Sequence, residues 1–479
     1  MKLNTKSFLL LALLVMIGVV GCKKPLDTVP ETSLTEIKTF DDIRNALRGA
    51  YDGFQSNLYY GSPASSGTTS GWSVLPDLMG DDFVEALESL GNWNVMSEMS
   101  YASDNGQVAG AFIQPYEVIS RVNNLLMFLG KYETGDTELE AKRIKAQALA
   151  IRAHAHFDLM RYFAPDFGRN STALGVPFVT VFDPQKPFAN LSVRNTVKEN
   201  YDAILKDLSD ALVAFRSGGN TTDNTSRNYI DSVVVYAIRA RVNYYASDWN
   251  AVIADANVAL SLRPVGTSAN YVSTFAAAGE ATPTSEVYWA IPSENALQPG
   301  RAVSGSNPSY RVTTAMSAIL QSQGGAYVNT GINRFNQLGI GNIQRTICWK
   351  YPGIRSFKVY RAGEMLLMRA EAKQRTGDLT ALTDLNALRT NRGVANGAEV
   401  GTALLDAILL QRRVELLGEG HRWFDLRRTT KTIVRTECGV AGGSRAANCN
   451  IGPTSRSWTF PIPFNEIKVN PNLVQNQGY

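Results

Sequence analysis

"YAIRARVNYYASDWNAVIADANVALSLRP", residues 236–264, is the stretch whose reading decides the fold. Apolar and small residues recur at helical spacing on both sides of "ASDW", which reads as two helices joined by a tight turn. Set against a repeat of roughly 34 residues that builds stacked helix pairs, Ala240 and Ala259 take the small-residue positions of the first and second helix, Trp249 the inter-helix aromatic and Pro264 the terminal proline. The aromatic expected in the first helix is displaced, with Asn243 before Tyr244, so the repeat is degenerate. Small residues at these points let helix backbones approach closely, and such pairs stack into a curved solenoid.

"GEMLLMRAEAKQRTGDLTALTDLNALRTNRG" (363–393) repeats the plan, with Ala370 as the small residue and "TGDL" as the turn. Upstream, "EAKRIKAQALAIRAHAHFDLMRYFAPDFG" (140–168) is apolar on two faces, which predicts a helix packed between neighbours and stopped at Pro165 and Gly168. "VKENYDAILKDLSDALVAF" (197–215) is amphipathic. From about residue 265 to 355 the chain turns rich in Gly, Ser, Asn and Pro with short apolar bursts such as "EVYWAI", which predicts loops and a few strands. The fold class that follows is all-α, mainly helical: tetratricopeptide-like helix pairs forming a solenoid scaffold, with a loop-rich ligand face and a few short strands.

"QRRVELLGEGHRWFDLRR" (411–428) crowds acids, bases and a histidine into one span and poses the question of an active site. Leu416, Leu417, Val414 and Trp423 interleave with the charges, as in a packed helix. Glu415 and Glu419 stand one helical turn apart, with Arg412 three residues before the first and Arg422 three after the second, the spacing of ion pairs along a helix. No nucleophile stands beside a base. The stretch reads as scaffold, with a turn at Gly418 to Gly420 and no catalytic residues. "HAH" (His154, His156) would share a face only on a strand; on a helix the two diverge, so they read as core histidines. No metal site or cofactor site is expected.

The 479 residues are 44% hydrophobic and carry a net charge of +4. Nothing points to a nucleic-acid partner, which needs a concentrated basic face. At the N-terminus "MKLNTKS" is basic and Phe8 to Val20 is an apolar run, reaching as a helix only about 20 Å of a hydrocarbon core about 30 Å thick. It is therefore an export signal rather than a span. It ends in "VVGC", which resembles a lipoprotein cleavage site, so residues 1–21 are read as the signal peptide and Cys22 as the lipidated residue, anchored by several acyl chains. Cys438 and Cys449 bracket "GVAGGSRAAN" and favour a disulfide in an exported protein. Cys348 is expected to be a buried thiol.

Eight segments, in order, resemble the SusD/RagB family of outer-membrane lipoproteins of Bacteroidetes. They are "IKTFDDIRNALRGAYDGF" (37–54), "YEVISRVNNLL" (116–126), "AQALAIRAHAHFDLMRYF" (146–163), "LGVPFV" (174–179), "YRAGEMLLMRAEAKQRTGD" (360–378), "NALRTNRG" (386–393), the charged stretch above and "FPIPFNEIKVNPNLVQNQGY" (460–479). The terminal "QNQGY" departs from the family's "QNPGY". The resemblance implies four tetratricopeptide-like pairs, an N-terminal region over 22–215 interlocked with a C-terminal region over 216–479, and no catalysis. It implies a lipid-anchored protein facing the cell surface that captures an oligosaccharide or peptide nutrient and hands it to a SusC-like TonB-dependent transporter.

Carbohydrate recognition needs flat aromatic faces together with amides and acids. The loop-like segment 59–104 offers Tyr59, Tyr60, Trp72, Trp93 and Tyr101, with Asn92, Asn94 and Asp81; Tyr310 and Arg311 are available from the middle loops, and the resemblance places ligand contacts in these regions. Trp93, flanked by two asparagines in "GNWN", is the leading candidate. Two other readings compete: a helical-repeat adaptor of the outer membrane without a small-molecule site, and a glycan-cleaving enzyme. The enzyme needs two carboxyls about 5–10 Å apart across a cleft, and adjacent Asp81 and Asp82 serve that poorly.

Overall fold

The computed structural model describes residues 37–61, 71–86, 93–181, 191–219, 227–277, 286–292, 308–338, 344–353, 355–438 and 448–479, with Ser89, Gly91, Pro283 and Thr284. Cys22 and Asn92 lie outside these residues. In chain order the helices are α1 (Phe40–Asp52), α2 (Leu75–Leu78), α3 (Asn94–Ser97), α4 (Gly106–Leu129), α5 (Glu138–Phe163), α6 (Val197–Ser217), α7 (Ser232–Tyr245), α8 (Trp249–Leu262), α9 (Ser268–Phe275), α10 (Thr314–Gln323), α11 (Ala362–Thr376), α12 (Ala381–Arg392), α13 (Gly401–Glu415), α14 (Arg422–Arg428) and α15 (Phe464–Val469).

Local chemistry explains where they begin and end. Thr39 and Thr196 each form a capping box with an acidic residue three positions on, Asp42 and Glu199. Asp231 and Asp248 accept backbone N–H groups of α7 and α8. Such caps satisfy N–H groups the helix itself leaves open. Gly377 (φ +78°) and Gly393 (φ +66°) end α11 and α12 in the left-handed conformation that glycine adopts without strain.

The helices stack in series, α4 on α5, α5 on α6, α6 on α7, α7 on α8, α8 on α11, and α11 on α12 and α13. The two repeats read from sequence are the pairs α7–α8 and α11–α12. Ala240, Ala259 and Ala370 are fully buried, as close backbone approach requires. From Ala148 to Phe163 every residue of α5 is buried, so this helix runs through the centre of the core.

Between the repeats the chain is less irregular than its composition predicts. Besides strands β2 (Val287–Ile291), β3 (Tyr310–Val312), β4 (Asn333–Leu338), β5 (Gln344–Cys348) and β6 (Phe357–Arg361), it forms helices α9 and α10, begun by the caps Thr267 and Thr313. With β1 (Phe83–Glu85), β3, β5 and β4 make a sheet of order β1-β3-β5-β4. β2 pairs antiparallel with β6, and both are wholly buried, Tyr288 and Trp289 included. Short strands Ile433–Val434 and Asn450–Ile451 pair on either side of the Cys438–Cys449 disulfide. Cys348 is a fully buried thiol.

Candidate functional site

Most of the charged stretch 411–428 is buried, with Arg413, Arg422, Asp425 and Arg428 partly exposed. Glu415 and Glu419 are buried, and so are the cations that face them. Arg361 lies 2.5 Å from Glu415, 2.6 Å from Glu419 and 2.8 Å from Glu286; Arg392 reaches Glu286 at 2.5 Å and Glu415 at 2.8 Å; Lys350 reaches Glu419 at 2.6 Å. The Tyr327 hydroxyl donates to Glu415 at 2.7 Å. Burial pushes the Glu415 carboxyl up, but Arg392 and Arg361 outweigh it and hold the group well below the ordinary carboxylate range.

The pairing within the stretch differs from its helical spacing. Arg412 pairs with Asp425 at 2.8 Å, and Arg422 with Asp81 at 2.6 Å. The reason is the turn at Gly418 (φ +75°) and Gly420 (φ +75°), which ends α13 and sends Glu419 and Arg422 in different directions. At Gly420 the backbone passes so close to the Trp72 carbonyl that a Cβ would stand 2.9 Å from it. His154 and His156 are fully buried: His154 sits between the Tyr60 and Tyr360 hydroxyls (3.2 and 3.1 Å), and His156 accepts the Val179 N–H at 3.0 Å.

Most of the aromatics expected to meet a ligand belong to the core instead. Tyr59 and Tyr60 are at most 3% exposed and both donate to buried Asp158 at 2.8 Å. Trp72 packs 4.1 Å from the Tyr162 ring, with the Arg161 guanidinium 5.5 Å from its own. Tyr101 stacks edge-on against Phe460 at 4.7 Å and donates to the Ser457 carbonyl. Asp81 is held by Arg422 through two bonds, 2.6 and 2.9 Å. Trp93 is only 4% exposed, at the start of α3, not an indole displayed on a turn. Arg311 is 4% exposed within β3. Aromatic density misled because a cluster of Tyr and Trp serves a core layer as well as it serves a sugar. Only the packing of distant elements tells the two apart.

A smaller set does come together at one end of the four-stranded sheet. Glu85 of β1 stands opposite Tyr310 of β3. Tyr310 donates to Ser97 at 2.9 Å, with the Asn94 side chain 3.5 Å away. With its amide nitrogen turned toward Glu85, Asn94 donates to both carboxylate oxygens, at 2.9 and 3.0 Å. Val312 pairs with Thr346 in the antiparallel β3–β5 ladder, which brings Tyr310 level with Cys348, so Trp349 leaves the sheet at this same end. Trp349 is half-exposed, and the Arg334 guanidinium lies 3.2 Å from its ring centroid.

Trp349 escaped the sequence reading. Of the seven tryptophans, only Trp249 and Trp349 are not buried. In "TICWKYP" an alternating strand would be expected to turn its lysine outward and its tryptophan inward. The reverse holds because Lys350 is fixed at buried Glu419, 2.6 Å away. The one local signal was the neighbouring apolar pair Ile347 and Cys348, whose burial leaves Trp349 at the strand's exit.

Such an arrangement, a stacked-helix scaffold braced by internal ion pairs and carrying a small sheet with a polar rim, is that of a helical-repeat binding scaffold. Among the described residues no helix is long and apolar enough to cross a membrane. The model of the SusD family matches residues 303–479 of the chain, and a second model, described as starch-binding and associating with the outer membrane, matches residues 70–243. It is 22% identical to the SusD-like protein P2 of Formosa agariphila over 99% of this chain and 100% of that protein. Among solved structures it is similar to a SusD superfamily protein from Bacteroides vulgatus, with a TM-score of 0.78 and 23% identity over 92% of this chain and 100% of the other. It is also similar to the surface glycan-binding protein A of Bacteroides uniformis, with a TM-score of 0.70 and 21% identity over 91% of this chain and 99% of that one.

Proposed function

We propose that this protein is a lipid-anchored binding protein of the outer-membrane surface that captures an oligosaccharide and delivers it to a SusC-like TonB-dependent transporter. The observation that carries the reading is the family match at both ends of the chain, 70–243 and 303–479. Similarity to a surface glycan-binding protein favours a glycan over a peptide as cargo. The burial of Glu415 and Glu419 among their cations supports the scaffold reading of the segment that resembled a catalytic cluster.

The ligand face belongs, on this reading, at the sheet end described above. A partly exposed indole (Trp349) and a partly exposed amide (Asn94) supply the mixture of apolar face and hydrogen-bonding edge that a sugar presents, while Tyr310 and Glu85, 1% and 3% exposed, lie beneath and brace the amide.

The test is a calorimetric titration of soluble glycans and peptides into the full-length protein, beside affinity purification of the tagged protein from its native membranes. Glycan binding together with a co-purifying TonB-dependent transporter is the expected result. Peptide binding alone would change the cargo. A transporter that co-purifies with a protein binding neither class would favour the adaptor reading.

A further inference from the structure

A cavity of about 430 Å³ opens between the C-terminal ends of α5, α7 and α14. Its walls carry Trp249, Tyr245, Arg375, Arg427, Arg428 and Lys431, and its volume falls in the range of small-ligand sites, about 300–1,000 Å³. Among the described residues that line it, the only acid is Asp166, already engaged by the Gly168 N–H (2.9 Å) and the Ser171 hydroxyl (2.8 Å).

The cations of this wall are not equally satisfied. Arg428 is neutralised by Glu371 (3.0 Å) and Asp425 (2.8 Å), and Arg375 leans on Glu371 at 3.3 Å. Arg427 is 9% exposed and yet, among the described residues, has no carboxylate partner. It donates only to neutral oxygens: the Arg161 carbonyl (2.6 Å), the Ala164 carbonyl and the Thr459 hydroxyl (3.2 Å). Burial pulls its pKa down to about 10, a measure of how poorly its charge is compensated. Exposed Lys431 likewise has no acidic partner among the described residues.

Three further features mark the cavity as built rather than incidental. The Tyr245 hydroxyl is buried without a hydrogen-bond partner in the described structure. Trp249 is half-exposed, with the Arg375 guanidinium 5.6 Å from its ring. Ser247 (φ +59°) and Thr430 (φ +53°), both on the wall, hold left-handed backbone conformations that non-glycine residues adopt at a cost. Strain of this kind persists where surrounding structure demands it, and such positions concentrate at binding sites.

We infer that this cavity binds an acidic saccharide, its carboxylate or sulfate set among Arg427, Arg375 and Lys431 and its ring against Trp249. An arginine cluster supplies charge-assisted donors for an oxyanion, while the indole supplies a flat apolar face for the sugar's C–H surface. The inference rests on the nutrient-binding reading for its choice of a sugar. Its residues share nothing with the sheet end, so the two can fail separately.

Arg427 props the ends of neighbouring elements, so its removal would unfold as well as unbind; the test uses exposed Lys431 and half-exposed Trp249. A uronic-acid disaccharide, its neutral methyl ester and inorganic sulfate are titrated into wild-type, Lys431→Glu, Trp249→Ala and Trp349→Ala proteins, with melting temperatures recorded. The free acid should bind about 10-fold or more tighter than the ester, and lose about that factor in Lys431→Glu. Trp249→Ala should weaken it by about fivefold or more, and Trp349→Ala should leave it unchanged. Equal affinity for acid and ester, no effect of Lys431→Glu in a protein that melts normally, or no binding at millimolar acid would each overturn the inference. Sulfate binding as tightly as the disaccharide would overturn the saccharide class and leave a simple anion site. Loss of acid binding in Trp349→Ala alone would assign it to the sheet end.

Discussion

Arg361, the last residue of β6, and Glu415, the last residue of α13, meet at 2.5 Å in a place where neither is more than 1% exposed. Fifty-four residues of chain separate them, and Glu286 and Arg392 complete the cluster from two further elements. In a dry interior the attraction is strong but so is the cost of desolvation, and removing one partner leaves the other charged and uncompensated. Glu415→Ala should therefore destabilise the protein by about 3–5 kcal/mol. Urea unfolding measures this, and a variant that unfolds like wild type but fails to bind glycan would make the stretch a site after all.

Gly363 packs against the same cluster. A Cβ there would lie 2.5 Å from the Glu415 carboxylate and 2.7 Å from Arg361 Nη1. Helix propensity alone favours Ala over Gly in a helix by about 1 kcal/mol. Gly363→Ala should nonetheless lower the melting temperature, because the ion pairs must spread to admit the methyl group. A rise in melting temperature would show that the cluster yields easily.

The two classes of tryptophan should separate in mutagenesis. Trp72→Ala leaves a cavity between Tyr162, Phe424 and the Tyr59–Tyr60 pair, and should cost about 3–5 kcal/mol of stability. Trp349→Ala should change stability little and weaken glycan binding about 5- to 150-fold, the equivalent of roughly 1–3 kcal/mol. Calorimetry beside thermal melts distinguishes them. Trp93→Ala should behave like Trp72→Ala in this comparison, since its ring is 4% exposed.

The buried histidines make the protein acid-sensitive. Burial lowers His154 to about 4 and His156 to about 3, from an ordinary value of 6.5. The unfolded chain therefore binds protons the folded protein refuses, so stability is full above pH 6.5 and falls as the pH drops from 6.5 toward 4 and then 3. Asp77, raised to about 7 by burial and by Asp82, opposes this: its folded form takes up a proton between pH 7 and 3.8, so stability gains on that account as the pH falls. His421, pushed well down by burial and by Arg241, adds to the two histidines, while Asp207, Asp231 and Asp255, pushed up by burial, side with Asp77; the histidines are expected to dominate, with a net loss between pH 7 and 4 on the order of a few kcal/mol. Chemical denaturation across that range checks it, and His156→Gln, whose amide oxygen can still accept the Val179 N–H, should flatten the slope.

Cys22→Ser should release the protein from the membrane fraction, since the acyl anchor assigned to "VVGC" would be lost. Detergent phase partitioning reads this directly. If both forms remain in the membrane fraction, attachment lies elsewhere.

What the sequence determined by itself is the long helices and the pairing of two repeats, α7–α8 and α11–α12. Spacing, capping residues such as Thr196 and Asp231, and small residues such as Ala240 act within a few positions of one another, so their meaning is written locally. Tertiary structure alone decided which charges meet and which rings see solvent. Glu415 chose Arg361 and Arg392 over Arg412, because a turn at Gly418 redirected the chain. Trp72 and Tyr59 went into the core while Trp349 stayed at its edge, because burial is fixed by what packs on a residue from far along the chain, and a window of sequence holds no record of that.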